Sequence, residues 1–357
     1  VEWEPLIPLI ETANRAIARF EGALYGVPNP EVLLAPLTTQ EAVLSSKIEG
    51  TQATLGEVLR FEAGQSPQGE ERVRDIQEIL NYRRALRHAE TTLKDMPFTL
   101  NLLLKLHEIL LDSVRGRDKG RGRFRTSQNW IGAEGSTMEK AVFVPPSPLQ
   151  LIEHLSSWEK YYHTDRPDAL VQLAVIHAQF EILNPFLDGN GRLGRILVPL
   201  FLYERKLLSR PMFYMSEWIE EHKDAYMMHL RALGREPRSW NNWIEFFLKG
   251  IAEQAEDNTK KARAIMELYS QLKVRMLALT RSQFAVPLLD QMFARPIFTS
   301  AQLMFYPIRP SKPAISSLLR SLRSDGIIDI LNEGSGRRGT VFVFAELINL
   351  CEGRKVI

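Results

Sequence analysis

Apolar residues return every three to four positions along most of the chain, the period of an α-helix with one buried face, and Gly/Pro clusters cut that rhythm into segments. A first helix is expected to end near Leu24, with the loop YGVPNP after it. Thr38 and Glu41 have the spacing of a capping box and would open a short helix reaching about Ile48, where Gly50 ends it. Further helices are expected over about 70–94, 99–115, 147–163, 167–183, 190–206, 216–231 and 239–280, with Ser147-Pro148 and the stretch Asp188 to Asn190 as start signals. Two stretches depart from the rhythm. Residues 128–144, QNWIGAEGSTMEKAVFV, hold two β-prone runs around a Gly/Ser/Thr-rich centre and stop at Pro145-Pro146, which predicts a hairpin. Residues 327–344 are strand-rich and follow helical segments at about 299–306 and 311–325. The pattern predicts a mainly α protein.

Length divides this picture. At 357 residues the chain exceeds one ordinary core, so two or three domains are expected. With 45% hydrophobic and 25% charged residues, the composition is that of a soluble folded protein and not of a disordered one. A net charge of +2 supplies no global field toward nucleic acid or an anionic membrane, so binding to either would need a local patch. The single cysteine, Cys351, excludes an intrachain disulfide and a thiolate zinc site and fits a reducing compartment. The longest apolar run, 196–203, falls far short of the roughly 20 residues of a membrane span. The start, VEWEPLIPLI, is acidic and broken by prolines, unlike a signal peptide. A cytoplasmic protein with no membrane partner is expected.

Candidate chemistry concentrates in NPFLDGNGRLGR, residues 184–195. Its glycines let backbone amides approach an anion, and the helix that follows presents unpaired N–H groups with a partial positive charge. Arg192 and Arg195 stand one helical turn apart, so both guanidinium forks can reach one polyphosphate. Asp188 adds a hard oxygen ligand that suits Mg²⁺ together with phosphate oxygens. Gly189, Gly191 and Gly194 also match a dinucleotide-binding spacing, but that motif follows a strand, and here a helix precedes it. No GK[ST] follows the glycines, which excludes a Walker loop. The bland alternative is a Gly-rich turn between helices with solvated arginines.

The stretch resembles the core motif HPFx[DE]GNGRxxR of the Fic family of protein nucleotidyltransferases, matching it throughout 185–195, and HAQFEIL at 177–183 is similar to the helix that precedes that motif. The resemblance implies a Fic-type helical bundle with a β-hairpin flap. It implies that Asp188 holds the metal and that the amides around Gly189 and Gly191, with Asn190 and Arg192, bind the α- and β-phosphates of ATP. Arg195 would take the γ-phosphate, and AMP would pass to a hydroxyl of a target protein. The first motif position departs from the family: a histidine there acts as general base, and this chain has Asn184. An amide has no usable basicity near neutral pH, so a contribution of about 10²–10⁴-fold would be missing while nucleotide binding survives. Two explanations fit: a substitution introduced to trap a complex, which the intact remainder of the motif favours, or a natural chain that binds nucleotide without transferring it. His177, two turns before Asn184, is expected to be a packing residue and not a replacement base.

Further resemblances extend outward. Residues 45–50, SSKIEG, resemble the [ST]xxxE[GN] inhibitory motif of Fic proteins, with Ser45 as its first residue, which implies that Glu49 pairs with Arg195 and removes the cation that should orient the γ-phosphate; the bland alternative is that Glu49 is the last-turn acid of a short helix. The 128–144 hairpin resembles the Fic flap, whose free edge would pair with an extended target segment; the bland alternative is a hairpin packing Trp130 and Phe143. The carboxy-terminal order of helices and strands has the pattern of a winged helix-turn-helix. Leu318, Leu319 and Leu322 would face its core, Arg320 and Arg323 would lie elsewhere, and Arg337 and Arg338 would sit on the wing. DNA binding and protein docking both fit that module.

The expected organisation is a regulatory helical region over 1–95, a catalytic core over 96–250, a connecting helix over 251–284 and a winged-helix domain over 285–357. The expected activity is Mg²⁺-dependent AMP transfer, restrained by Glu49 and disabled by Asn184. A non-catalytic, nucleotide-sensing DNA regulator is the alternative. Phosphoryl transfer is disfavoured because Gly191 leaves room for phosphate. The resemblance also allows a homodimer.

Overall fold

A computed structural model of the chain describes all residues except 113, 115–117, 133–136, 234–238, 304–309 and 335–338. Helices dominate, and side-chain caps explain several of their starts. Thr99 opens α6 (Leu100–Leu110) by accepting from the Leu102 amide, Ser147 opens α7 (Pro148–His163), and Asp168 opens α8 (Ala169–Leu183) by accepting from the Val171 amide at 2.8 Å. The capping box expected at Thr38 and Glu41 is absent. Helix α3 (Ala35–Ile48) begins earlier, after the short α2 (Pro30–Leu33), so Thr38 lies inside it with its hydroxyl bonded back to Leu34 C=O. A capping box does form at Thr54 and Glu57, opening α4 (Leu55–Glu62), which the apolar rhythm does not resolve.

By its contacts the chain divides into two units, each discontinuous in sequence. One comprises Val1–Glu21, Leu44–Thr51 and Gln77–Asp257. At its centre α8 packs against α7 and α9 (Asn190–Glu204). Almost every residue of α8 is buried, consistent with ALVQLAVIHAQFEIL, which is apolar all round instead of on one face. The indole N–H groups of Trp158 and Trp243 donate to the α8 carbonyls of Ile176 and Ala174 at 3.0 and 2.8 Å, so these large side chains are buried without orphaned polar atoms. Helix α5 (Glu70–Leu93) enters this unit from Gln77 onward. The helix expected over 216–231 is two helices, α10 (Ser216–Glu221) and α11 (Lys223–Ala232), with His222 between them out of helical geometry. The hairpin expected over 128–144 is reduced, among the described residues, to one antiparallel bridge between Ile131 and Phe143 and a 3₁₀ turn at Met138–Lys140. Trp130, at its base, is partly exposed.

The other unit comprises Gly22–Val43, Gln52–Ile76 and Asn258–Ile357. Its sheet has strand order β1 (Ile297–Thr299), β3 (Val341–Val343), β2 (Asp329–Asn332), all antiparallel, with a bulge between Ile330 and Asn332. β2 and β3 lie in the strand-rich stretch read from sequence; β1 precedes it. Helices α13 (Ala285–Ala294), α14 (Lys312–Ser324) and α15 (Ala345–Glu352) accompany the sheet in sequence. α14 buries Ile315, Leu318, Leu319 and Leu322 and leaves Arg320 and Arg323 exposed. Arg337 and Arg338 lie outside the described residues. The long α12 (Ser239–Thr280) contributes residues to both units.

Candidate functional site

The turn between α8 and α9 is shaped by two left-handed residues. Asn184 caps α8 at φ 44°, a conformation that asparagine and histidine tolerate better than most side chains, and Gly189 precedes α9 at φ 81°. The first backbone bond of α9 runs from Leu193 N–H to Gly189 C=O. The amides of Asn190, Gly191 and Arg192 therefore have no intrahelical acceptor and form the positive end of the helix. The Asn190 side chain braces the turn: its Oδ1 accepts from Phe186 N–H at 2.9 Å and its Nδ2 donates to Phe186 C=O at 2.8 Å. Of the expected phosphate ligands, Asn190 thus has its backbone amide available and its side chain engaged.

The two arginines are held differently. Arg192 donates to Glu78 on α5 at 3.0 Å, with both side chains almost fully buried, and its other terminal nitrogen lies 3.5 Å from Asp188. Arg195 is closed by residues 45–49: its Nε donates to Ser45 Oγ at 2.8 Å, and its Nη2 donates to Ser45 C=O at 2.8 Å and to Glu49 Oε1 at 2.7 Å. Burial pushes the Glu49 carboxyl up, but Arg195, then Arg192 and Lys223, outweigh it and hold the group below the ordinary carboxylate range. The Glu49 carboxylate reaches the amide end of α9, because a β-carbon on Gly191 would collide with its Oε1. The expected pair of Glu49 and Arg195 is present, with Ser45 bonded to the same guanidinium, and Glu49 stands beside Gly191. Lys223 Nζ donates to the Ile48 carbonyl at 2.9 Å, and Lys47 pairs with Glu220 at 2.7 Å, so α10 and α11 grip the end of α3.

Three residues not singled out from sequence set the turn in place. Arg125, with no carboxylate partner among the described residues, donates to the carbonyls of Asn184, Leu183, Ser127 and Pro146, and so ties the end of α8 to both stalks of the flap. Burial alone lowers its pKa from the usual value. Asn129 donates to Asn184 Oδ1 at 2.7 Å and to Phe186 C=O at 3.1 Å. His107 stacks on Phe186 at 3.8 Å, accepts from Gly122 N–H through Nδ1, and hence donates through Nε2 to Asp188 C=O at 3.1 Å. Burial, opposed by that carbonyl, brings its pKa to about 4.

Asp188 is partly exposed, with Lys119 at 3.6 Å. Among the described residues no group of three or more His, Cys, Asp or Glu side chains could hold a metal alone. One carboxylate fits Mg²⁺ that arrives with phosphate oxygens as its remaining ligands, and Asp188 would hold it in that way.

Glu49, Asn184, Asp188, Gly189, Asn190, Gly191 and Arg195 line a cavity of about 460 Å³ together with Ile219, Lys223, Tyr226, Met227 and Leu230, whereas Arg192 is not among its lining residues. Glu181 also lines it; burial raises its carboxyl to about 7 against the pull of Arg195, and its Oε1 has no hydrogen-bond partner among the described residues. His177 is fully buried, with Nδ1 at 3.1 Å from Gly194 C=O and Nε2 at 2.7 Å from Tyr226 Oη, and burial lowers its pKa to about 3. It packs, as expected.

The sequence profile described as "Fic/DOC family N-terminal" matches residues 7–91, and that described as "Fic/DOC family" matches residues 97–202, together more than half of the chain. The chain belongs to the Fic/DOC family. Among its Fic relatives, a probable protein adenylyltransferase of Aquifex aeolicus is 27% identical over 55% of this chain and 57% of its own length. The protein adenylyltransferase fic-1 of Caenorhabditis elegans is 27% identical over 43% of this chain and 30% of its own. The matches thus span between about a third and a little over half of these relatives. A Fic family protein from Desulfovibrio desulfuricans G20 shares the fold, with a TM-score of 0.61 at 18% identity over 96% of this chain and 97% of that one. A fragment of Fic-1 from C. elegans gives a TM-score of 0.54 at 18% identity over 74% and 75%. No helix among the described residues is long and apolar enough to cross a membrane.

Proposed function

We propose that residues 184–195 bind the triphosphate of ATP with Mg²⁺, in a protein built to transfer AMP to a Ser, Thr or Tyr hydroxyl of a target protein, restrained by Glu49 and deprived of its general base by Asn184. The observation that carries this is the Arg195–Glu49 pair at 2.7 Å beside the free amides of α9. Relatives named protein adenylyltransferases support the reaction class. The amides of Gly189, Asn190 and Gly191 would hold phosphate oxygens, Arg192 would meet them from a guanidinium oriented by Glu78, and Asp188 would hold Mg²⁺, which neutralises phosphate charge when bound. Arg195, occupied by Glu49, is withheld from the γ-phosphate, so the nucleotide lies wrongly for in-line attack. Nothing at position 184 accepts the hydroxyl proton. The flap edge at Ile131 and Phe143 is read as the strand on which a target segment aligns. We read 1–95 as regulatory, 96–250 as catalytic, 251–284 as a connecting helix and 285–357 as a winged helix. The test is transfer from labelled ATP by four proteins: the chain itself, Asn184→His, Glu49→Gly and the double variant. The double variant is expected to label itself or a lysate protein strongly and the unaltered chain hardly at all. A silent double variant overturns the enzyme reading.

Asn184 also favours a second reading, a nucleotide-sensing DNA regulator without catalysis, because it removes the base and leaves the phosphate groups. The exposed Arg320 and Arg323 on α14 are the candidate DNA face. Binding to its own promoter DNA that weakens steeply with salt, joined to a silent double variant, would establish that reading.

A further inference from the structure

We propose that Asn184 is itself a phosphate ligand, donating its side-chain N–H₂ to a phosphate oxygen of the bound nucleotide; the inference rests on the nucleotide reading above. The backbone groups of Phe186 cannot exchange donor and acceptor roles. Its N–H donates to Asn190 Oδ1 at 2.9 Å, and its C=O accepts from Nδ2 of Asn190 at 2.8 Å and Nδ2 of Asn129 at 3.1 Å. Both amides are thereby fixed in orientation. Both then direct N–H toward Asn184, whose Oδ1 accepts from Asn129 at 2.7 Å and from Asn190 at 3.0 Å. Reversing the Asn184 amide would set its N–H₂ against two other N–H₂ groups and lose both bonds. Nδ2 is therefore the free end, and it has no hydrogen-bond partner among the described residues. Asn184 lines the same cavity as Gly189 and Gly191.

The donor is also held rigidly. Arg125 bonds the Asn184 carbonyl at 2.9 Å, and two amides bond the side-chain oxygen, so little conformational freedom remains to be lost when an oxyanion arrives. A hydrogen bond to a charged oxygen is among the stronger kinds, whereas the same N–H₂ cannot remove a proton. Position 184 thus offers the site a donor where proton transfer requires an acceptor.

The experiment is calorimetric binding of Mg·ATP to the full chain and to Asn184→Gly and Asn184→Asp, with adenosine as the phosphate-free probe followed by ligand-observed NMR. Glycine accepts φ 44° without strain, so Asn184→Gly removes the amide and keeps the turn. Asn184→Asp keeps the oxygen that Asn129 and Asn190 bond and replaces the donor with a second oxygen. ATP affinity is expected to fall about ten-fold or more in Asn184→Gly and further in Asn184→Asp, with adenosine affinity unchanged within about two-fold. ATP affinity unaltered in Asn184→Gly, or ATP and adenosine falling together, would reduce Asn184 to a helix-end residue and overturn the proposal. Failure of the unaltered chain to bind ATP would instead remove the nucleotide reading, and this inference with it.

Discussion

Arg192 and Arg195 stand one turn apart on α9, yet their partners make them different residues. Arg192 is locked to Glu78 with both side chains almost fully buried, so Glu78→Ala leaves a buried cation uncompensated and is expected to cost about 3–5 kcal/mol in urea unfolding. A loss below about 1 kcal/mol would show that water replaces the glutamate. Arg195 faces two acids that titrate in opposite directions. Glu49 is held below its ordinary 4.5, so its pairing contributes stability above that pH and loses it as pH falls through the lower folded value. Glu181 is raised from 4.5 to about 7. Between those values the folded chain keeps a proton that the unfolded chain has released, so stability falls as pH rises through that window. Glu181→Gln is expected to flatten the fall of melting temperature between about pH 5 and 8; an unchanged slope would assign the pH dependence to other groups.

At the scale of elements, the end of α3 is pinned at several points. Ser45 and Glu49 hold Arg195, Lys223 caps the last helical carbonyl at Ile48, and Lys47 meets Glu220. A lysine at a helix C-terminus contributes about 0.3–1 kcal/mol. Lys223→Ala, placed in the Asn184→His background, is therefore expected to raise transfer a few-fold, less than Glu49→Gly does. The flap depends on a different tie. Arg125→Lys keeps the charge but loses the planar fork that reaches four carbonyls, so amides of Ile131 and Phe143 should exchange hydrogen faster by mass spectrometry. Unchanged exchange there would mean that the Ile131–Phe143 bridge alone sustains the flap.

At the scale of the molecule, the two units differ in what reports on them. All six tryptophans, at 3, 130, 158, 218, 240 and 243, fall in the unit that carries the turn. Tryptophan fluorescence therefore follows that unit, and circular dichroism at 222 nm follows the helices of both. Mg·ATP at about 100 times its dissociation constant should stabilise the fluorescent transition by about 2.7 kcal/mol, visible as a rise of several degrees. A transition indifferent to ATP would speak against a nucleotide site in this unit.

Features carried by neighbouring residues follow from the order of amino acids alone. The glycines, the acid and the paired arginines of the turn lie within twelve consecutive residues, so short-range backbone chemistry places them together wherever the rest of the chain goes. The helix over 167–183 was likewise legible from its apolar period, and the SSKIEG stretch stood out through its resemblance to an inhibitory motif. Tertiary structure decided everything that depends on partners far along the chain. Glu78 lies 114 positions from Arg192, His107 is 81 from Asp188, and Arg125 and Asn129 are 59 and 55 from Asn184. Thr38 is no cap for a local reason, since α3 begins at Ala35 and both its N–H and its hydroxyl already bond the Leu34 carbonyl four positions back. Spacing reveals a helix face or a turn, whereas the choice of which buried charge or amide meets which is made by packing, after loops of any length have closed.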